Sequence, residues 1–558
     1  MGNRVYLVFA FLLLFFSLIV LKLFFWQVLS FDRLIGLAEK QRSVKLPIEA
    51  FRGRILSSDK SPLVINQKAY GIYFEPHKIK EISQVVSLVA KSTGLDEASI
   101  SAKIENKNLI WVPIVHKVEE DKVTEIKRNH IEGIELVEES KRYYPEASMA
   151  AHLLGFVGKD SRGDDSGYFG IEGFYNQQLK GRDGYLQQEI DATGKPILTG
   201  EIEKVPAEPG RDLVLHLDKT IQFIVEKKLE AGIEKFQAKG GSVIVMDPYT
   251  GGIMASASVP SYDPGLFGQY TTDRFNNPVI AQSYEPGSTF KTLIMTVGLN
   301  EGKIQPDSKF NEEGPLQIGG YYINTWNQKY HGLIDVAQIL EYSSNVGMVY
   351  IQNLVDKSVY YDYLEKIGLG QLTNVDLQEE AVPDLRPKDK WYEIDYATSS
   401  FGQGIAVTPL QMVRAVSAIA NGGYLMEPHV VKSILLPNGE HIDILPKKVN
   451  IFNSKATSMM KEMMVAAVDK GEAKRLKPAG YRIAGKTGTA QIPIAGHYDA
   501  SKTIASFVGF APVDKPRFVM LVTIREPSTS IWGSETAAPL FFSIAKDIFS
   551  YLKISPND

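Results

Sequence analysis

There is no cysteine in the 558 residues. This excludes disulfides, thiolate chemistry and cysteine-ligated zinc, and it fits an exported bacterial protein. Histidine is sparse, nine in all, and none falls in a His-Glu-x-x-His or similar cluster, so a metal hydrolase finds no support. No Gly-x-Ser-x-Gly elbow occurs, which disfavours a Ser-His-Asp hydrolase. Charge of one sign is lacking too. The net charge is -4 and Lys and Arg are not clustered, which argues against a nucleic-acid partner.

Long apolar runs are lacking beyond residue 29. Residues 5–29 read VYLVFAFLLLFFSLIVLKLFFWQVL, about the 20 apolar residues that span a bilayer, with Lys22 able to snorkel and Trp26 suited to the interface. A cleaved signal peptide is the rival reading. No small-x-small cleavage site follows, and the run is too long for one, so an uncleaved anchor in the lipid bilayer is expected. Arg4 lies on one side of it and Arg33, Lys40 and Arg42 on the other, so basic residues do not set the orientation. The expected plan is a tail at residues 1–4, a transmembrane anchor at 5–29 and all remaining mass on one side.

A chain of this length exceeds one hydrophobic core, so two or more soluble domains are expected. Residues 31–41 read as the membrane helix continuing outward. Up to about residue 207 the pattern is mixed. Short β-rich runs at 70–74 and 109–114 alternate with helical stretches at 82–92 and 121–129. Glu208-Pro209-Gly210 is a candidate domain joint. Beyond it, 213–217 reads as a strand and 219–236 as an amphipathic helix. Residues 242–246 and 253–256 form a hairpin around a turn at 247–252. Helical runs at 289–299, 336–342, 346–355 and 537–551, with strands at 481–492, 503–510 and 518–524, imply a helix-covered sheet with a separate helical part.

Three short motifs follow one another in that second region. They are Ser288-Thr289-Phe290-Lys291, Ser343-Ser344-Asn345 and Lys486-Thr487-Gly488-Thr489. Ser-x-x-Lys also starts at Ser57, Ser458, Ser543 and Ser550, and Ser-x-Asn recurs at Ser555. The specificity lies in the order, the wide gaps and the flanks: Glu285-Pro286-Gly287 before the first, Ala484-Gly485 before the third and Ala490-Gln491 after it.

Together the motifs supply the parts for attack on an amide-like carbonyl. Ser288 at a helix N-terminus lies beside backbone N–H groups and the positive end of the dipole. Lys291, three residues on, shares its face and can reach the serine oxygen. A lysine serves as base only if burial or a second cation lowers its pKa, and Lys486 can be that cation. Ser343 can relay a proton, and Asn345 can orient the substrate. Lys486, Thr487 and Thr489 suit a substrate carboxylate, and Gly488 lets a ligand lie against the strand. The backbone N–H groups of Ser288 and Thr489 would form an oxyanion hole, worth ~3–4 kcal/mol per donor.

Each residue alone has a plainer reading: Ser288 as an N-cap, Asn345 as a loop residue, Lys486 as a solvated strand residue. The triple coincidence favours catalysis. Asp160-Ser161-Arg162-Gly163-Asp164-Asp165 superficially suggests a calcium loop but lacks the closing Glu, so it reads as a surface turn, and no metal site is expected.

With these motifs the chain resembles a class B penicillin-binding protein over nearly its whole length. Arg52-Gly53-Arg54-Ile55-Leu56 is similar to the family's Arg-Gly-x-Ile segment. Gly170-Ile171-Glu172-Gly173-Phe174-Tyr175, with Leu179, Gly181 and Gly184, is similar to its Gly-Ile-Glu stretch. Asp247 to Gly251, Ser261-Tyr262-Asp263-Pro264 and Phe401-Gly402-Gln403-Gly404 fit as well. Ser57-Ser58-Asp59-Lys60 departs from the family's Asp-Arg-Asn-Gly turn.

The resemblance implies an α+β multidomain fold. Its parts are one transmembrane helix, an elongated mixed pedestal or dimerisation-like domain at 30–210, and a transpeptidase domain at 211–558. The last is a helix-covered antiparallel sheet plus a helical subdomain. The resemblance further implies a D,D-transpeptidase, without cofactor, that cross-links peptidoglycan stem peptides ending in D-Ala-D-Ala outside the cytoplasmic membrane. Ser288 would be acylated with loss of D-Ala, a neighbouring stem's amine would take the acyl group, and β-lactams would acylate the same serine. The motifs are closer to division-specific than to elongation members. Implied partners are a membrane SEDS-type glycosyltransferase and other division proteins, since no glycosyltransferase signature is present. An elongation-type enzyme, a D,D-carboxypeptidase and a non-catalytic divisome scaffold are the alternatives.

Overall fold

The computed structural model describes every residue except 1, 105–110, 190–196, 198–201, 495–496 and 557–558. The chain divides into two compact units. One comprises Met1–Arg52 and Lys180–Gly210, the other Gly53–Leu179 and Arg211–Asp558.

In the first unit, helix α1 (Gly2–Phe24) carries the apolar run and ends in a π-turn over Phe25–Leu29. The 28 residues of this helical stretch rise about 42 Å at 1.5 Å per residue, enough to cross a hydrocarbon core of about 30 Å. Its large apolar side chains, Val5 through Leu29, are exposed, the state a lipid-facing helix requires. A helix over Phe31–Arg42 follows, as expected. Strands Ser43–Ile48, Gly184–Glu189 and Ile202–Val205 make a three-stranded antiparallel sheet.

The second unit begins with β1 (Ile55–Leu56). This strand lies parallel to β2 (Asp212–Leu215), Leu213 opposite Ile55, within a seven-stranded sheet. The β-rich run at 70–74 is the end of a longer strand in that sheet, Pro62–Phe74. Of the run expected at 109–114, Leu109 and Ile110 lie outside the described residues, and Val112–Glu119 is a strand. The helical stretches are present at Ile82–Thr93 and Glu120–Asn129. Residues 160–164 form the turn joining strands Phe156–Lys159 and Asp165–Tyr168, so the last residue of the 160–165 run opens the second strand.

Ile55, Ile171 and Leu179 from before residue 180 share one core with Leu213, Leu215 and Met246 from after 210, all at 0% exposure. Polar contacts tie the same halves. The Tyr175 hydroxyl donates to buried Asp376 at 2.9 Å, and Asp376 also accepts from Val430 and Val431 N–H at 2.6 and 2.9 Å. Glu172 of the Gly-Ile-Glu stretch is fully buried and paired with Arg142 Nε at 2.6 Å.

Helix α2 (Lys219–Phe236) starts where Asp218 caps the N–H groups of Thr220 and Ile221. The expected hairpin follows as β3 (Gly240–Met246) and β4 (Ile253–Val259). The chain then runs through α3 (Lys291–Asn300), β5 (Lys309–Glu312), β6 (Gly332–Asp335), α4 (Val336–Glu341), α5 (Asn345–Leu354), α6 (Pro409–Ala420) and α7 (Ser454–Lys470). It closes with β7 (Ala484–Ile494), β8 (His497–Ala511), β9 (Phe518–Arg525) and α8 (Ala537–Tyr551).

Five strands form an antiparallel sheet in the order β4-β3-β9-β8-β7. Side chains of a strand alternate between faces, and here both faces are apolar. Val243, Val245 and Met520 join a core with α2 and α8, while Ile244, Met246 and Leu521 join a second core with α3, α5, α6 and α7. The sheet is therefore covered on both sides, and β7 is left at its edge beside the helical part.

Candidate active site

Glu285-Pro286-Gly287 delivers Ser288 to the site. Gly287 has φ +55° and its N–H donates to Gly402 O at 3.0 Å. A Cβ on Gly402 would stand 2.2 Å from Gly287 O, so the Phe401-Gly402-Gln403-Gly404 segment needs glycine where it crosses the serine loop. Residues Gly287–Thr289 form one 3₁₀ turn ahead of α3. Thr289 Oγ1 donates to Pro286 O at 2.6 Å and stiffens the turn. Ser288 is half-buried, while Thr289, Phe290 and Lys291 are at 0% exposure.

The second motif joins two helices. Ser344 N–H donates to Ile339 O at 2.9 Å and Ser343 N–H to Leu340 O at 3.2 Å, the bond pair of a Schellman ending to α4. That ending places its left-handed residue at Ser343, φ +56°. Glycine usually occupies this position, because a side chain there costs roughly 1–2 kcal/mol. Ser344 then caps α5, its Oγ accepting from Gly347 N–H at 2.8 Å. The turn holds Ser343 buried and Asn345 half-buried.

These residues meet. The Ser343 hydroxyl donates to Ser288 Oγ at 3.0 Å. Lys291 Nζ donates to Ser343 O at 2.6 Å, to Asn345 Oδ1 at 2.7 Å and, more loosely, to Ser343 Oγ at 3.3 Å. Lys291 thus connects to Ser288 through Ser343. Burial, then the neighbouring Lys486 charge, holds the Lys291 amine well below the usual lysine range, against an opposing pull from Glu472 and Glu312.

The third motif lies along β7. Lys486 and Gly488 are buried, Thr487 and Thr489 half-buried, as strand alternation requires. Burial pushes Lys486 down to about 8, with Glu472 opposing. A Cβ on Gly488 would meet Ser506 Oγ at 2.5 Å and Thr289 Cγ2 at 2.8 Å, so glycine lets the serine turn seat on the strand. Thr487 Oγ1 accepts from Lys486 Nζ at 3.2 Å and Thr489 Oγ1 from Gly533 N–H at 3.0 Å. Each hydroxyl acts as an acceptor in these contacts, which leaves its proton to donate to a ligand. As an edge strand, β7 also has one row of backbone groups outside the ladder. All eight residues singled out in the sequence therefore sit around one junction of β7, α3 and the α4–α5 turn. A cavity of about 420 Å³ elsewhere on the sheet, lined by Lys239, Ser242, Tyr284 and Arg525, contains none of them.

Residues 241–550 match the penicillin binding protein transpeptidase domain, and residues 47–215 match the penicillin-binding protein dimerisation domain. The chain belongs to the class B penicillin-binding proteins. It is 30% identical to stage V sporulation protein D of Bacillus subtilis, over all of this chain and 86% of that protein. It is 28% identical to peptidoglycan D,D-transpeptidase FtsI of Escherichia coli, over 95% of this chain and 89% of that one. Among solved structures it resembles penicillin binding protein 2X of Streptococcus thermophilus, with TM-score 0.76, 25% identity and coverage of 92% and 80%. A peptidoglycan synthetase from Bifidobacterium adolescentis gives TM-score 0.75 and 26% identity, with coverage of 93% and 98%.

Four further parts of this penicillin-binding protein's site carry no motif of their own. Asn324 O accepts from Asn345 Nδ2 at 2.9 Å. Trp326 packs edge-on to Trp532 at 5.1 Å and donates to Tyr342 O at 3.3 Å, next to the second motif. Glu472 lines a small cavity with Ser343, Gly485, Lys486 and Thr487. Glu312 accepts from the Ser344 hydroxyl. Each acts across a gap in sequence that no spacing rule spans.

Proposed function

We propose that the chain is a serine peptidoglycan D,D-transpeptidase with Ser288 as the acylated nucleophile. The observation that carries this is the continuous Ser288–Ser343–Lys291 contact around a fully buried lysine. A neutral Lys291 uses two protons in its short donations to Ser343 O and Asn345 Oδ1 and keeps one lone pair. With its hydroxyl turned to that lone pair, Ser343 accepts the Ser288 proton and passes its own to Lys291 while Ser288 Oγ attacks the carbonyl of a D-Ala-D-Ala stem. The Ser288 and Thr489 N–H groups receive the oxyanion, and Lys486, Thr487 and Thr489 hold the terminal carboxylate. The proton returns to the leaving D-Ala amine, and an amine from a second stem then takes the acyl group. β-Lactams, which carry a strained amide and a carboxylate, enter the same path.

The anchor α1 holds the enzyme in the cytoplasmic membrane by a single pass, with residues 30–558 on the outer face where stem peptides lie. The catalytic machinery is confined to 211–558 and the pedestal to 30–210. A role in septal wall synthesis beside a SEDS-type glycosyltransferase is what the resemblance to division-specific members implies, and the likeness to an FtsI protein over 95% of this chain accords with that type of enzyme. The match to a sporulation protein over the whole chain supports use of the same chemistry at that stage as the alternative.

The test is a synthetic stem pentapeptide ending in D-Ala-D-Ala, offered with an amine acceptor. The wild type should release D-Ala and form the new amide, and Ser288→Ala should do neither. Release of D-Ala with only water as acceptor would make the enzyme a carboxypeptidase instead.

A further inference from the structure

Ser344 lies between two proposed site residues and has no part in the chemistry above. Its hydroxyl donates to Glu312 Oε1, at the end of β5, 32 residues earlier in the chain. The other carboxyl oxygen of Glu312 accepts from His331 N–H at 3.0 Å and stands 2.9 Å from His331 Nδ1. The Glu312 side chain is at 0% exposure, and its partner among the described ion pairs is His331. Burying an acidic group is costly, and an apolar side chain could close this hairpin without that cost. The carboxylate is explained by what it grips: Ser344 fixes both the Schellman ending of α4 and the cap of α5, and between them lies Ser343 in its left-handed conformation.

We propose that Glu312 is a positioning residue for acylation, which through Ser344 fixes the turn that sets Ser343 against Ser288 and Lys291, and whose buried negative charge opposes the positive charge gathered at Lys291. This rests on Ser288 being the nucleophile. Lys291 faces Lys486 from β7, Glu472 from beyond α7 and Glu312 from β5. His331 faces Glu312, and Glu341 at the end of α4 is tied to Lys470 at 3.0 Å. Glu312 pulls the Lys291 amine upward, against burial and Lys486. Its removal as a charge lets Lys291 lose its proton at still lower pH.

The test is the acylation rate of the full-length enzyme by a penicillin between pH 5 and pH 9, for wild type, Glu312→Gln and Ser344→Ala, with melting curves for each. Glu312→Gln should lower the plateau rate about 10²-fold and move the rising limb to lower pH. Ser344→Ala should lower the plateau with the limb in place, because the charge remains. A Glu312→Gln limb that stays put reduces Glu312 to scaffolding and overturns the proposal. If Glu312→Gln does not fold, a Ser344→Ala enzyme that acylates at the wild-type rate overturns it equally. A wild type that forms no adduct on Ser288 removes the underlying assignment rather than this one.

Discussion

The Ser343 hydroxyl reaches Ser288 Oγ at 3.0 Å from a backbone held at φ +56°, where glycine would relieve strain. Backbone strain and the proposed chemistry therefore pull in opposite directions at this residue. In Ser343→Gly, relief of about 1–2 kcal/mol is offset by about 0.5–1 kcal/mol of extra backbone freedom in the unfolded chain and about 1 kcal/mol for the lost hydrogen bonds. The melting midpoint should move by no more than about 2–4 °C, while acylation by penicillin falls about 10²-fold or more. A destabilised variant that acylates normally would mean Ser343 is only a turn residue.

The two lysines predict activity and stability trends of opposite sign. Lys291, held far down by burial and Lys486, is free to act as base where an ordinary lysine is still charged. Lys486 loses its charge near pH 8, so acylation by a carboxylate-bearing penicillin should decline as pH rises through about 8. Unfolded lysine titrates near ~10.4. Between about 8 and that value the unfolded chain binds more protons at Lys486 than the folded one, so the stability contribution rises with pH. Lys486→Met should then be more stable than wild type at pH 7, with the gap closing by pH 10. A gap that is constant with pH would show that Lys486 is not depressed.

Lys291→Arg keeps the charge but cannot supply a neutral amine. It should acylate far more slowly than wild type, measured with fluorescent penicillin on material that still binds the drug non-covalently. Near-normal labelling would exclude Lys291 as the base.

The core crosses the proposed joint at Pro209-Gly210, and this bears on which fragments fold. A fragment of residues 211–558 carries all eight proposed site residues but loses Ile55, Ile171 and Leu179, each fully buried. At ~1.5–3 kcal/mol per side chain, their loss together rivals a typical net stability of about 5–15 kcal/mol. Residues 53–558 should therefore show a clearly higher urea midpoint than 211–558. Equal midpoints would mean residues 53–179 contribute nothing to the fold of the catalytic part.

Much of this arrangement was legible because local chemistry agreed with the fold. Residues 219–236 carry an Asp218 cap and an apolar face, and the helix has those bounds. Ser343 fell between two helical runs, which is where the structure has the turn. What escaped depends on distant pairing. Nothing near Lys486 says that β7 is an edge strand, since that follows from β8 and β9 lying between it and β3. Glu312 has no motif, and its meaning comes only from β5 pairing with β6, which brings His331 and Ser344 to it. Serine also gave no sign of a left-handed backbone at 343, because propensity assigns that conformation to glycine.

In the proposed reaction Ser288 takes the acyl group. Intact-mass and peptide mapping of the penicillin-treated protein test it most directly. A single adduct is expected on the peptide containing Ser288, absent in Ser288→Ala. An adduct on Ser57 or Ser458, or an undiminished adduct in Ser288→Ala, would contradict it.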